Sequence, residues 1–308
     1  MNNPDLPKIV IICGPTGVGK TGLAIRLAQR FGGQIVGADS MQIYRRMDIG
    51  TAKPTAEEKT AVRHHMVDII DPDQAFDAAA YGQQAHHIIQ ELLADGIRPF
   101  VVGGTGLYIK ALVYGLFQSQ ASDADVRQRL KQQLAQEGTA AMHAHLARHD
   151  PQAASRVHPN DTYRITRALE VMELTGRAIS THHDAHGFAQ ARYQTLTIGL
   201  SLPREQLYAR IDQRLDAMIA AGLLEEVRGL LAHGYDADLK AMQALGYRHM
   251  ADFIQGRLTW DEALRTLKRD HRHYAKRQRT WFNAVADILW LAPDQVNEAA
   301  QRIAEFFA

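Results

Sequence analysis

The sequence predicts an α/β fold, a parallel sheet core with a helical domain inserted into it. Three observations carry that expectation. Short apolar runs rich in Val and Ile alternate with helical patterns, as buried parallel strands do. Each early run ends in a Gly- or Asp-containing segment, where open α/β sheets place their ligands. Between about residues 116 and 191 the strand character disappears, and Ala, Gln, His and Arg dominate with helical periodicity.

In chain order, KIVIIC (Lys8–Cys13) is the first strand, and a helical pattern follows at Thr21–Phe31. QIVGAD (Gln34–Asp39) is the second strand. A helix over roughly Ala78–Ala94 leads to the third, RPFVVGG (Arg98–Gly104). After the insertion QTLTIGLS (Gln194–Ser201) resumes the sheet, and ADILWLA near 286–292 is a candidate edge strand. Helical patterns fill 204–220, 222–233, 242–254 and 260–280. The expected domains are therefore 1–115 with 192–308 as the core and its C-terminal helices, and 116–191 as the inserted unit. No internal repeat or low-complexity linker interrupts them.

A chain of 308 residues can bury one large core or two modest ones. With a hydrophobic fraction of 46% and a charged fraction of 22%, its composition is that of an ordinary globular protein. The net charge of +1 carries no bulk signature of nucleic-acid binding, so any such signal must be local. One cysteine, Cys13, excludes an intramolecular disulfide and a multi-cysteine zinc site, and its apolar surroundings read as those of a buried hydrophobe. The N-terminal MNNPDLPK has no basic segment leading into an apolar one, and no apolar run approaches the ~20 residues that span a bilayer. A cytoplasmic monomer with no membrane partner is expected.

GPTGVGKT, comprising Gly14, Pro15, Thr16, Gly17, Val18, Gly19, Lys20 and Thr21, fits G-x-x-x-x-G-K-[ST] in full. Glycines let successive backbone N–H groups turn inward, and the following helix N-terminus adds partial positive charge. Lys20 can reach terminal phosphates and the Thr21 hydroxyl can ligate Mg²⁺. With a strand before it and a helix after it, this loop makes the core P-loop NTPase-like. It identifies a phosphate site, not which phosphate.

Asp39, at the end of the second strand, suits either a general base beside the cradle or a cap of the following turn. Lys53 and the Arg45–Arg46 pair add positive charge nearby, which surface solvation explains equally well. VVGGTGLYIKAL (Val101–Leu112) is a second Gly-rich strand-to-helix turn, with Thr105 offering a hydroxyl. In LRTLKRDHRHYAKRQRTWF, the cations Arg265, Arg269, Arg272, Lys276 and Arg279 repeat at spacings of 4, 3, 4 and 3 along one helix face. Leu264, Leu267, Tyr274 and Trp281 fall on another face, and within the stripe only Asp270 supplies an acid. Such a stripe suits a nucleic-acid backbone. Arg156, Arg164 and Arg167 form a lesser cluster in the insertion, with Arg127 and Arg129 upstream. His182 with His186, and His271 with His273, lack the partners of a zinc motif.

From the residues alone two functions compete: a P-loop kinase of a nucleotide or small molecule, and a non-catalytic RNA-binding switch. Against the kinase, no second metal-binding Asp ends an apolar strand.

GPTGVGKT, ADSMQIYRRMDIGTAKP, GGTGLYIKAL, RITRALEV, QALGYR and KRQRTWF occur in the order seen in bacterial tRNA dimethylallyltransferases, and the chain resembles that family from about Ile9 to Trp281. The resemblance implies a P-loop core and helical insertion that clamp a tRNA anticodon stem-loop. It implies transfer of a dimethylallyl group from dimethylallyl diphosphate to N6 of the adenosine 3′ of the anticodon (position 37), with Mg²⁺ as cofactor. A relative of this chemistry acts on free adenine nucleotides, but the basic stripe favours a polymer. Gly14 to Thr21 would hold the diphosphate, with the metal at Thr21; the loop is of the ATP-binding type, yet no ATP hydrolysis is expected. By motif match, Asp39 takes the base role, with Thr105 and Arg127 near the reacting groups. Contacts to tRNA would come from Asp39, Ser40, Met41 and Gln42, and from Tyr163, Arg164, Ile165, Thr166 and Arg167. Gln243, Ala244, Leu245, Gly246, Tyr247 and Arg248 would add to them, as would Lys276, Arg277, Gln278, Arg279, Thr280, Trp281, Phe282 and Asn283. The family often has a Gln-Arg pair where this chain reads Tyr163–Arg164.

Overall fold

The computed structural model describes residues 5–116, 123–181 and 190–308. His182 and His186 fall outside these residues. Two compact units are present, one formed by Met1–Val113 with Ala191–Ala308 and the other by Tyr114–Gln190.

The first unit is built on a six-stranded parallel sheet: β1 (Lys8–Cys13), β2 (Gly33–Gly37), β3 (His64–His65), β4 (Arg98–Gly103), β5 (Gln194–Leu200) and β6 (Ile288–Leu291), in the order β3-β2-β4-β1-β5-β6. β1 is central, and Ile9, Val10, Ile11 and Ile12 are at most 2% exposed. Burial on both faces is why its sequence is a continuous apolar run without alternation. Each such side chain contributes about 1.5–3 kcal/mol relative to exposure. The edge strand near 286–292 is shorter than its sequence pattern and pairs through Thr197–Leu200. β3, only two residues long at the other edge, has no apolar run and left no signal.

The Lys20–Phe31 and Ala78–Ala94 helices lie between strands as their periodicity predicts. Asp77 caps the latter by accepting hydrogen bonds from the amides of Ala79 and Ala80. The helical pattern over 242–254 is realised only as Tyr247–Ile254, because Gly246 adopts φ +93° and ends the preceding turns. The basic segment is helical over Trp260–Asn283, entered through a reciprocal Thr259–Glu262 capping box.

The second unit is all-helical among the described residues: Ala124–His149, Pro151–Arg156 and Thr162–Thr175. Gly138 (φ 80, ψ 167) breaks the first of these internally. Leu130, Met142, Leu146, Ile165, Ala168 and Leu169 form the unit's own core. Among the described residues no helix is long and apolar enough to cross a membrane.

Strand order brings the ends of β2, β4 and β1 side by side, with Gly37 in register with Val102 and Cys13 with Gly103. A Cβ at Gly103 would stand 2.0 Å from the Ala38 carbonyl oxygen, so no larger residue permits this approach. We expect Gly103→Ala to cost about 1–3 kcal/mol in urea unfolding. Gly229→Ala, in a helix interior with nothing within 4 Å of the added methyl, should instead gain about 0.4–1 kcal/mol.

Candidate active site

The loop Gly14–Gly19 leaves β1 and enters the Lys20–Phe31 helix at the C-terminal edge of the sheet. Among the described residues no acceptor is paired with the amides of Gly17, Val18 or Gly19. Together with the helix N-terminus they form a concentration of unused donors suited to an oxyanion. Lys20 curls back over the loop, donating to the carbonyls of Gly14 (3.0 Å) and Pro15 (2.8 Å). Burial lowers its ammonium to about 8, against the opposing influence of Asp39.

Asp39 caps the following turn with one carboxylate oxygen and leaves the other open. Its Oδ1 accepts from the amides of Met41 (2.8 Å) and Gln42 (3.4 Å), fixing the turn. Its Oδ2 has no donor among the described residues. The second glycine turn closes on the same point. Thr105 N–H donates to Ala38 O (3.1 Å), and the Thr105 hydroxyl accepts from Ser40 N–H (3.1 Å). The phenol of Tyr274 is close enough to feel the Asp39 charge, and burial above all raises its pKa. Asp39, Lys20 and Thr105 therefore share one site.

Two further residues complete that site: Arg214, which lies outside the sequence motifs, and Gln278, which belongs to KRQRTWF and was expected at RNA. Arg214, on the Arg204–Ala220 helix, donates to Thr16 Oγ1 (3.4 Å) and interacts with both Asp39 and Lys20; burial lowers its pKa. Gln278 accepts from Thr16 N–H (2.8 Å) and donates to Gly104 O (3.0 Å). Arg214 follows Leu207 and Ile211 at helical spacing on a buried stripe, and Gln278 follows Leu267 and His271. A polar residue on an apolar stripe was the available signal.

Several residues expected to contact RNA have side chains buried in the protein. Ile165 lies in the helical unit's core at 0% exposure; Tyr247 is equally buried, with its hydroxyl donating to Glu226 (2.6 Å). Phe282 and Gln278 face inward at 3% and 6%. The buried stripe of the Trp260–Asn283 helix runs through Ala263, Leu267, His271, Ala275, Gln278 and Phe282, whereas Trp281 is exposed and lies against Gly106. The cationic stripe is also less free than its sequence suggests. Arg272 pairs with Asp212 of a neighbouring helix, and Arg269 with Asp270. Arg248 and His249 also bond to Asp270; burial opposes its charge, but these partners hold the carboxyl at about 2. Lys276 and Arg279 are exposed and carry no ion pair among the described residues.

Lys53, which surface solvation had sufficed to explain, is instead a hub. Its side chain is 3% exposed and it donates to Tyr44 O (2.6 Å), Asp48 (2.6 Å) and Asp68 (2.5 Å). Glu226 accepts the amides of Asp48, Ile49 and Gly50, pinning the segment after Asp39.

In the helical unit, Arg127 Nε and Arg167 Nη1 each donate at 2.6 Å to Glu170, whose side chain is 4% exposed. Arg156, Tyr163, Arg164 and Arg167 rim a cavity of about 240 Å³ with apolar walls that include Ala153 and Ile179. Tyr163 is 78% exposed there.

Among the described residues no three His, Cys, Asp or Glu side chains converge on a metal position. The Thr21 hydroxyl has no protein partner among them. One hydroxyl beside a phosphate cradle suits Mg²⁺ held chiefly through substrate oxygens.

Residues 42–285 match the IPP transferase family model. The chain belongs to that family. The tRNA dimethylallyltransferase of Desulfosudis oleivorans is 52% identical over 288 residues, covering 94% of this chain and 92% of the relative. That of Desulfatibacillum aliphaticivorans is 50% identical over 98% of this chain and 99% of its own. Among solved structures, the full-length tRNA isopentenylpyrophosphate transferase of Bacillus halodurans is 40% identical, with a TM-score of 0.73 over 97% of this chain and 96% of that one. A eukaryotic dimethylallyltransferase acting on tRNA, 27% identical, reaches a TM-score of 0.78 over 96% of this chain and 77% of its own. Family membership thus rests on the whole chain and not on the P-loop alone.

Losing one charged donor from the cradle removes about 1.5–3 kcal/mol. Lys20→Met and Arg214→Met should therefore each weaken inorganic diphosphate binding roughly 10–100-fold in titration calorimetry.

Proposed function

We propose that the protein is a tRNA dimethylallyltransferase, moving the dimethylallyl group of dimethylallyl diphosphate to N6 of the adenosine at position 37, 3′ of the anticodon, and releasing diphosphate. The observation that carries the assignment is the free Asp39 Oδ2 beside a phosphate cradle, in a chain about half identical to enzymes of that name over nearly its whole length.

The bond that breaks joins the allylic carbon to the bridging oxygen, and its electrons leave with the diphosphate. Loop amides, Lys20 and Arg214 stabilise the developing charge. Mg²⁺ held by Thr21 and substrate oxygens would neutralise more of that charge when bound. The adenine N6 lone pair is delocalised into the purine, so the amine is a weak nucleophile. Asp39 Oδ2 accepts its hydrogen bond and then its proton as the new carbon–nitrogen bond forms. Thr105, fixed by Ser40 and Ala38, sets the turn that presents Asp39. The target base must leave its stack to reach this point. Exposed Trp281 gives a neighbouring base a surface to stack on, while Lys276 and Arg279 suit the phosphate backbone. In the helical unit, Tyr163, Arg164 and Arg167 offer a second RNA surface, and Arg127 fixes Arg167 through Glu170.

Incubation with labelled dimethylallyl diphosphate and unmodified tRNA should place label in tRNA and not in AMP. Asp39→Asn should reduce kcat by about 10²–10⁴ while donor binding persists. Label appearing only in free nucleotides, or γ-phosphate passing from ATP to an acceptor, would overturn the assignment. As pH rises through about 8 the free cradle loses the Lys20 charge. The donor KM should then climb about tenfold per unit, and Lys20→Arg should move that climb to higher pH. Lys276→Ala and Arg279→Ala should each lower the salt slope of tRNA binding by about 0.7–1.

A further inference from the structure

We propose that Gln278 is a positioning residue that holds the two substrate sites in register from within the RNA-bearing helix. The inference rests on the assignment of the cradle to diphosphate and of this helix to RNA.

Gln278 lies between exposed neighbours that suit RNA, Lys276 and Arg277 on one side and Arg279 on the other, yet its own carboxamide points inward at 6% exposure. Its two ends grip different loops. The oxygen takes the Thr16 amide of the phosphate cradle at 2.8 Å. The nitrogen reaches Gly104 O, in the turn that carries Thr105, at 3.0 Å. One planar group therefore ties the loop after β1 to the loop after β4, and both to the helix. A Cβ at Gly104 would lie 2.2 Å from Gln278 Nε2, so the glycine opens the space that the carboxamide occupies.

The chemistry of the position is restrictive. A donor and an acceptor must stand side by side at the end of a two-methylene arm. Asn is one methylene short, Glu supplies two acceptors and faces Gly104 O with the wrong polarity, and Met fills the volume with neither function. Gln278 is expected to touch neither substrate. Its loss should leave the binding surfaces intact and let the loops drift by a fraction of an ångström, which lowers the fraction of bound complexes poised to react.

The test is steady-state and single-turnover kinetics of Gln278→Met, Gln278→Asn and Gln278→Glu with dimethylallyl diphosphate and an anticodon stem-loop RNA. Single-turnover amplitude counts the folded sites. The expected result is a roughly 30–100-fold fall in the single-turnover rate and kcat of all three variants, with both KM values within about twofold of the parent and full amplitude. A parental rate in Gln278→Met or Gln278→Glu would overturn the proposal, as would a loss confined to amplitude. So would a rise in the donor KM alone, because Gln278 would then serve only the shape of the cradle. Failure of the functional assignment is separate and visible in the parent protein, which would then give no prenylated RNA.

Discussion

The site depends on a backbone constraint, the lateral closeness of the chain where it leaves β2, β4 and β1. Parallel strands all discharge their chain at one edge, and this sheet order makes those three strands neighbours. The Ala38 carbonyl then lies so near Gly103 that two main chains touch without an intervening side chain. Three parts of the site hang from this contact: the phosphate loop from one strand, Asp39 from the next, Thr105 from the one between. The hydrogen bond from Thr105 N–H to Ala38 O completes the closure.

Around that constraint the electrostatics are arranged to be unsatisfied. Lys20 and Arg214 are kept charged against their burial by the Asp39 carboxylate and by loop carbonyls. Cations held in this way respond strongly to an added polyanion, because little water must be stripped from them when it arrives. Elsewhere the molecule does the opposite. The side chains of Lys53 and Glu170 are buried and that of Glu226 is half-buried, each well supplied with hydrogen bonds, and they serve to fix loops and helices in place.

Much of this was legible in the sequence, for definite reasons. Short apolar runs marked β1, β2, β4 and β5, most plainly β1, whose two faces are both covered, and the P-loop spacing located the cradle. Residues such as β3 and the true start of the Tyr247–Ile254 helix were not legible, since a two-residue edge strand and a left-handed Gly246 leave no periodicity. A charged helix read from sequence hides partners that are distant in the chain. Asp212, which neutralises Arg272, is 60 residues away, and no helical wheel shows it. Likewise Gln278 and Tyr247 sit among residues with an RNA pattern but point toward the protein. Arg214 illustrates the converse: one arginine on an apolar stripe, in an otherwise unexceptional helix, was the trace of a second cation at the cradle.

Cys13, the last residue of β1, is fully buried beside the phosphate loop, and burial pushes its thiol up to about 12. Oxidants and alkylating reagents act on thiolate, so the strand end beneath the loop is chemically silent at neutral pH. Being the chain's one cysteine, it leaves the native background without a reactive thiol. A cysteine introduced anywhere on the surface would therefore be a unique attachment point, and spectroscopic or cross-linking labels could follow either unit without altering the sheet that carries the chemistry.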